Sequence, residues 1–400
     1  MILGLKETVL RVAVRDLRDQ DVSLAEATEL FARAAWTMVA EPGDGTAGAL
    51  VAALGPAGAL AAVLEGRSPV RLATEAGAAG PDAPEVPELS AALERWQPRL
   101  LAAGVLHALK SAAVLGVRLV APGDEEWPTG LGDLGRHAPT ALWCRGNPSV
   151  LGSPLPIALV GARAATGYGE HVAAEAASGL VDRGFSIVSG AAYGIDGMAH
   201  RAALASGGTT IAYLAGGVDR FYPSGHDALL RRIVDSGAVV SELPCGASPT
   251  KWRFLQRNRL IAAASRATVV IEAGTRSGSL NTAGHAAALA RPLGAVPGPV
   301  TSSASAGCHR LLREFDAVCV TDAAEMAELV VPTVAGAPTE AGPRLPAEAG
   351  RVLDALSTRG RPVDDVARSA GLSVASVRSA LGLLELEALA RETATGWRRA

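Results

Sequence analysis

From Lys251 to Arg259 the chain reads Lys-Trp-Arg-Phe-Leu-Gln-Arg-Asn-Arg, and between Gly246 and Arg276 six basic residues face one acid, Glu272. Cations interleaved with aromatic rings suit a single-stranded nucleic acid: Lys and Arg neutralise phosphates, and each base stacked on Phe or Trp is worth about 1 to 3 kcal/mol. Lysine is otherwise nearly absent, with Lys6, Lys110 and Lys251 against 34 arginines, so the place of Lys251 carries weight. The plainer reading of the segment is a solvated basic helix face with one buried aromatic. Shorter segments have related chemistry. Gly161-Ala162-Arg163 joins a residue that lets backbone approach a phosphate to a forked cation. Ser189-Gly190-Ala191-Ala192-Tyr193-Gly194-Ile195-Asp196 would expose backbone donors at a helix start, with Asp196 as N-cap and His200 one turn later. Ser277 and Gly278 offer a further anion site of the same kind, and Val296-Pro297-Gly298-Pro299 reads as rigid architecture. Asp196 and Glu272 are the carboxylates available for acid-base work if the protein is instead a nucleotide or ribose-phosphate hydrolase.

These segments need elements to hold them at one edge. From Pro154 onward, short runs rich in Val and Ile alternate with Ala-rich helical stretches, the pattern of βαβ units. Strands are expected near 157–160, 186–189, 210–214, 238–241, 268–272, 294–296 and 317–320, almost continuously apolar as strands buried on both faces must be. In an open parallel sheet the ligand crevice lies beyond the carboxyl ends of the strands, which is where the five segments fall. Ser23 and Glu26 open a helix over 23–39 with a capping-box pattern. A Pro/Gly/Ala stretch near 66–88 reads as a linker, followed by a helical run over 89–115. A second linker is expected over 331–350. The last fifty residues read as a winged helix, with helices near 351–357, 363–370 and 374–388 and a hairpin through Arg391 and Trp397. Its recognition helix carries one cation, Arg378, and residues 351–400 hold eight basic and six acidic residues, thin support for a regulator that reads duplex DNA.

Composition sets the frame. A chain of 400 residues has room for two or three domains, and 49% hydrophobic with only 4% aromatic residues favours Ala/Val/Leu-filled α/β layers. The formal net charge of -3 excludes bulk basicity as the means of binding a polyanion, so any such site must be local. Cys144, Cys245, Cys308 and Cys319 show neither Cys-x-x-Cys spacing nor a disulfide framework and read as small buried hydrophobes. No Walker A loop, dinucleotide glycine fingerprint, His-Glu-x-x-His or Gly-x-Ser-x-Gly occurs, so no cofactor and no metal is expected. The charged N-terminus and the short apolar stretch 50–64, interrupted by Gly55 and Pro56, suggest a cytoplasmic protein without a membrane anchor.

Taken together, the motifs resemble the DNA-processing protein A family (DprA, also called Smf). The resemblance rests on Gly-Ala-Arg at 161, Ser-Gly-Ala-Ala-Tyr-Gly-Ile-Asp at 189, Ala-Gly-Gly-Val-Asp at 215, Ser-Glu-Leu-Pro at 241, Arg-Asn-Arg-Leu-Ile-Ala at 257, Ser-Gly-Ser-Leu-Asn-Thr-Ala at 277 and Val-Pro-Gly at 296. The stretches Pro122–Pro128 and Leu142–Gly146 look like that family's lead-in. The resemblance implies an extended Rossmann-type parallel sheet over 121–330, a small N-terminal helical (SAM-like) domain over 1–120 and a winged-helix domain over 351–400. It also implies a homodimer that binds single-stranded DNA without catalysis, protects it and loads the RecA recombinase in natural transformation. Carried onto this chain, Arg163, Lys251, Phe254, Arg257, Asn258 and Arg259 would line the DNA pocket, joined on the residue reading by Gly161, Ser189, Gly190, Ser277 and Gly278. Leu255 stands where the family often has proline. The electrostatic expectation is that Arg163, Lys251 and Arg259 converge on one rim of the sheet.

Overall fold

The computed structural model describes residues 3–18, 22–330 and 346–400. It divides into two compact units, Met1–Pro332 and Thr333–Ala400. Most of the expected 331–350 linker, residues 331–345, lies outside the described residues.

The first unit begins with helices α1 (Glu7–Arg15), α2 (Leu24–Val39), α3 (Gly45–Leu54), α4 (Pro56–Leu64), α5 (Pro69–Gly77), α6 (Val86–Trp96) and α7 (Ala102–Val114). The Ser23–Glu26 capping box at α2 is formed. The stretch expected as a linker near 66–88 instead contains α5. Ser68 caps that helix and Pro69 occupies its first turn, where a missing N–H costs nothing. Proline therefore starts a helix here and does not break one.

The sheet follows: β1 (Arg118–Val120), β2 (Leu142–Gly146), β3 (Pro156–Val160), α8 (Gly167–Val181), β4 (Ser186–Ser189), α9 (Ile195–Ala205), β5 (Thr210–Tyr213), α10 (Asp227–Ser236) and β6 (Ala238–Ser241). It continues through α11 (Lys251–Ala263), β7 (Ala267–Val270), α12 (Ser279–Ala288), β8 (Leu293–Ala295), α13 (Ala306–Glu314), β9 (Val318–Cys319) and α14 (Ala323–Glu328). The strand order is β1-β2-β6-β5-β4-β3-β7-β8-β9. All neighbouring pairs from β6 to β9 are parallel, and the antiparallel pairings are β1–β2 and β2–β6, made by two strands absent from the sequence expectation. From β3 the chain winds outward through β4, β5 and β6, then returns to place β7 on the other side of β3. The strand order thus reverses at β3/β7, and a crevice must open beyond their carboxyl ends.

Strands β3 to β7 are wholly buried because helices cover both sheet faces. One core runs without interruption from Phe31, Trp36 and Trp96 of the N-terminal helices to Trp143, Ala212 and Val239 of the sheet. The indole Nε1 of Trp143 donates to Thr37 Oγ1 at 3.2 Å across that junction. Three cysteines are buried, and burial pushes the Cys144, Cys245 and Cys308 thiols up to about 12. Cys319 departs from the expectation: β9 is an outer strand of the sheet, and its residues are exposed. Among the described residues no single helix is long and apolar enough to cross a membrane, and the apolar pair α3–α4 bends by 108°.

The second unit packs α15 (Ala347–Ala355), α16 (Val363–Ala370) and α17 (Val374–Leu386) against a hairpin of β10 (Ala390–Thr393) and β11 (Gly396–Arg399). Its core is Val352, Val366, Val377, Leu381, Leu384 and neighbours, the winged-helix arrangement read from the sequence.

Candidate nucleic-acid interface

A groove of about 950 Å³ opens at the β3/β7 switch point, walled by the loops after β3, β4, β5, β6 and β7 and by one face of α11, with Asp196 of α9 in its lining. The β3 wall is Gly161-Ala162-Arg163. A Cβ at Gly161 would lie 2.5 Å from Ile195 Cγ1 and 2.9 Å from the Glu272 carbonyl, so only glycine lets this turn sit against β7. The turn is tied down by Ala162 N–H donating to the Glu272 carbonyl at 2.7 Å and Ile195 N–H donating to the Ala162 carbonyl at 3.2 Å. Arg163 then projects, exposed, into the groove.

Thr250 caps α11, accepting from Arg253 N–H, and the helix aligns Lys251, Phe254, Leu255 and Asn258 along the groove at three- and four-residue spacing. The half-buried ring of Phe254 has the Arg163 guanidinium 5.0 Å from its centroid and the Tyr222 ring 5.5 Å away at 55°. Tyr222 is 49% exposed. The sequence reading missed it; the signal was Phe221-Tyr222-Pro223, an aromatic pair and a proline in the loop after β5. Arg276, in the loop after β7, also lines the groove and was counted in the basic stretch without being assigned to the site. Lys251, Arg163 and Arg276 have no carboxylate within ion-pair distance among the described residues, whereas Arg253 beside them is held by Glu41 at 2.8 Å. Three cations thus face the groove with their charge available to a ligand.

The remaining expected residues divide into two groups. Ser277 and Gly278 line the groove at the start of α12. Arg257 and Asn258 touch it but serve mainly to build it. Arg257 is buried, and its Nη1 donates to the carbonyls of Gly190 at 2.6 Å and Tyr213 at 2.5 Å. Burial lowers its pKa to about 10, opposed by the nearby Asp196 carboxylate, and Arg163 lowers it further. Asn258 Nδ2 donates to Asn281 Oδ1 at 3.1 Å and the Gly278 carbonyl at 3.4 Å, fastening α11 to the 274–278 loop. Gly190 is required because a Cβ there would overlap the Arg257 guanidinium. Ser189 lies fully buried with its hydroxyl donating to the Leu159 carbonyl at 2.6 Å, and neither it nor Gly190 lines the groove. Arg259 also lies off the groove. Its side chain turns away from the groove and meets both oxygens of Glu242 at 2.8 Å in a buried pair. The expected convergence of Arg163, Lys251 and Arg259 therefore holds for the first two, with Arg276 as the third cation.

The carboxylates of the hydrolase reading are committed to structure. Glu272, 2% exposed, accepts from Thr166 N–H at 2.8 Å and Thr166 Oγ1 at 2.6 Å, fixing the start of α8. Asp196 is buried in the first turn of α9 and accepts from the Gly190 and Ala192 amides at 3.2 and 3.4 Å, so it organises the turn after β4 where an N-cap was expected. Burial raises its pKa, with Arg257 and those amides pulling the other way. His200 is fully buried against Thr210 Oγ1 at 2.6 Å, and burial pushes its pKa down to about 3.

Residues 118–331 match the model of the family described as DNA recombination-mediator protein A, and residues 336–394 match the DprA winged helix domain. The "Putative DNA processing protein DprA" of Mycobacterium tuberculosis is 50% identical over 301 residues, covering 71% of this chain and 77% of that protein. The DNA processing protein DprA of Streptococcus pneumoniae is 40% identical over 191 residues, covering 48% and 67%. The X-ray structure of the Streptococcus pneumoniae protein superimposes with a TM-score of 0.56 at 31% identity, over 71% of this chain and 93% of that one.

Proposed function

Because the chain belongs to the DNA recombination-mediator protein A family, we propose that its switch-point groove binds single-stranded DNA and carries out no chemistry on it. The observation that carries this reading is the meeting of Arg163, Lys251 and Arg276, none paired with a carboxylate among the described residues, with the rings of Phe254 and Tyr222 in one groove. Cations hold the phosphates, amides at the start of α12 add donors, and the aromatic pair offers π-faces to the bases. An open groove lined by a single carboxylate among the described residues, Asp196, with both Asp196 and the nearby Glu272 occupied by backbone and hydroxyl donors, supports binding over hydrolysis. A volume of about 950 Å³ leaves room for a short run of nucleotides.

Family membership also supports the finer reading that the protein is a homodimer, shields incoming single strands and hands them to RecA. The deciding experiment is a gel-shift comparison of single-stranded and duplex oligonucleotides with the wild-type chain and with Arg163→Ala and Lys251→Ala, each across a salt series. Release of free base from nucleoside monophosphates would support the hydrolase instead. For the finer reading, the measurements are the sedimentation mass of the free protein and the rate of RecA filament growth on a strand already coated by another single-strand binder.

A further inference from the structure

In the hairpin of the second unit, Ala390 faces Arg399, Arg391 faces Arg398, Glu392 faces Trp397 and Thr393 faces Gly396. Side chains alternate between the two faces of a strand. Ala390 is buried in the core and Trp397 packs against it, so the Glu392–Trp397 pair shares the core side and Arg391 and Arg398 share the outer side. Two like charges directly opposite in an antiparallel ladder destabilise it. Nothing in the described unit relieves them: its ion pair is Arg368 with Asp365, and neither Arg391 nor Arg398 has a carboxylate within reach. Arg398 Nε is buried with no hydrogen-bond partner.

Other arginines of the unit have internal work. Arg351 donates to the carbonyls of Ala370 and Gly371, and Arg361 to those of Ala355 and Asp365. Arg359 and Arg399 do not, and both sit at the hairpin: Arg399 N–H donates to the Ser357 carbonyl at 2.9 Å, and Gly360 packs under Thr393 and Thr395. The repulsion across the ladder is left for an external anion to neutralise.

We infer that the outer face of this wing, centred on Arg391 and Arg398, is a binding site for the phosphate backbone of duplex DNA. Trp397 is the one aromatic residue in 346–400 and it faces the core, so the unit has no stacking platform of the kind single strands use. The exposed side of α17 presents Ala375, Ser379 and Gly382 with one cation, Arg378, which is too little for base-edge readout. Phosphate contact without base reading is what remains, and it makes the site indifferent to sequence.

The test uses the full chain with a blunt duplex and a single strand of the same sequence. Replacing both residues (Arg391→Gln with Arg398→Gln) removes two phosphate contacts, so the duplex salt slope becomes shallower by about 1.8. The deficit in duplex affinity relative to wild type then shrinks about twelvefold between about 50 and about 200 mM salt. Single-strand affinity is unchanged. Arg391→Glu sets opposite charges across the ladder, so the melting temperature of the chain stays level or rises while duplex affinity falls. Unchanged duplex affinity in both variants would overturn the site. Equal losses on duplex and single strand would overturn its assignment to duplex. The groove reading fails or stands separately, through Arg163→Ala and Lys251→Ala on the single strand.

Discussion

Removing the charge of Arg163 gives a number that the groove geometry fixes in advance. Three unpaired cations face the groove, and if each holds one phosphate of a single strand, log K falls with log salt at a slope of about -2.1. A fourfold rise in salt then weakens wild-type binding about eighteenfold. Arg163→Ala leaves two contacts, a slope of about -1.4 and a loss of only about sevenfold over the same range. The variant also loses the guanidinium lying 5.0 Å over the Phe254 ring, an interaction worth about 0.5 to 1 kcal/mol at an exposed site. At low salt it should therefore bind more weakly by both routes, and at high salt by the aromatic route alone. Fluorescence anisotropy with a labelled oligonucleotide at several salt concentrations reads both quantities. If the slope for Arg163→Ala equals the wild-type slope, Arg163 holds no phosphate and the electrostatic account of the groove is wrong.

Phe254→Ala should lower single-strand affinity by about 1 to 3 kcal/mol and leave the salt slope unchanged, since a base is unstacked and no phosphate is released; a change in slope would argue against stacking. Arg259→Ala should do the reverse of Lys251→Ala: it strands Glu242 in a buried site and destabilises the fold by about 3 to 5 kcal/mol in urea melts, while the salt slope of the folded protein stays at the wild-type value. His200 should give a pH signature. Its folded pKa of about 3 lies below the ordinary 6.5, so the unfolded chain takes up the proton first, and stability present above 6.5 is lost as pH falls toward 3. Between pH 7 and pH 5 the stability advantage of wild type over His200→Gln should shrink by about 2 kcal/mol in denaturant melts, and a constant difference would show that the imidazole is not held neutral.

The parallel strands β3 to β7 were legible because they are buried on both faces and so read as short, mostly apolar runs; residues 157–160 and 269–271 are of this kind. Strands β1 and β2 gave no such run. The first is three residues long and the second, Leu-Trp-Cys-Arg-Gly, mixes core and polar positions because its last residues are only half-buried. Local charge density located α11 but was blind to its faces. Helical spacing from Lys251 passes through Phe254, Leu255 and Asn258 and reaches Arg259 at the edge of the same face, four residues after Leu255; what draws Arg259 away is Glu242 in the Ser-Glu-Leu-Pro segment, a partner distant enough in sequence to give no local sign. Ser189 and Gly190 stand at the carboxyl end of β4 but off the groove, since a glycine beside a strand end signals a close neighbour without saying whether it is ligand or, as here, Arg257. Tyr222 lay in a loop where Asp219 and Arg220 offset each other, so no excess of cations drew notice to it.

The apolar layer that runs from Phe31 and Trp36 to Trp143 and Val239 bears on where this protein can be cut. The family match begins at residue 118, yet that position is no seam in the folded chain. A truncation there would strip the cover from one side of β1 and β2, leave the indole of Trp143 in water and invite self-association through the bared sheet. Fragments intended to isolate the groove should keep the leading helices and be trimmed after residue 330 instead.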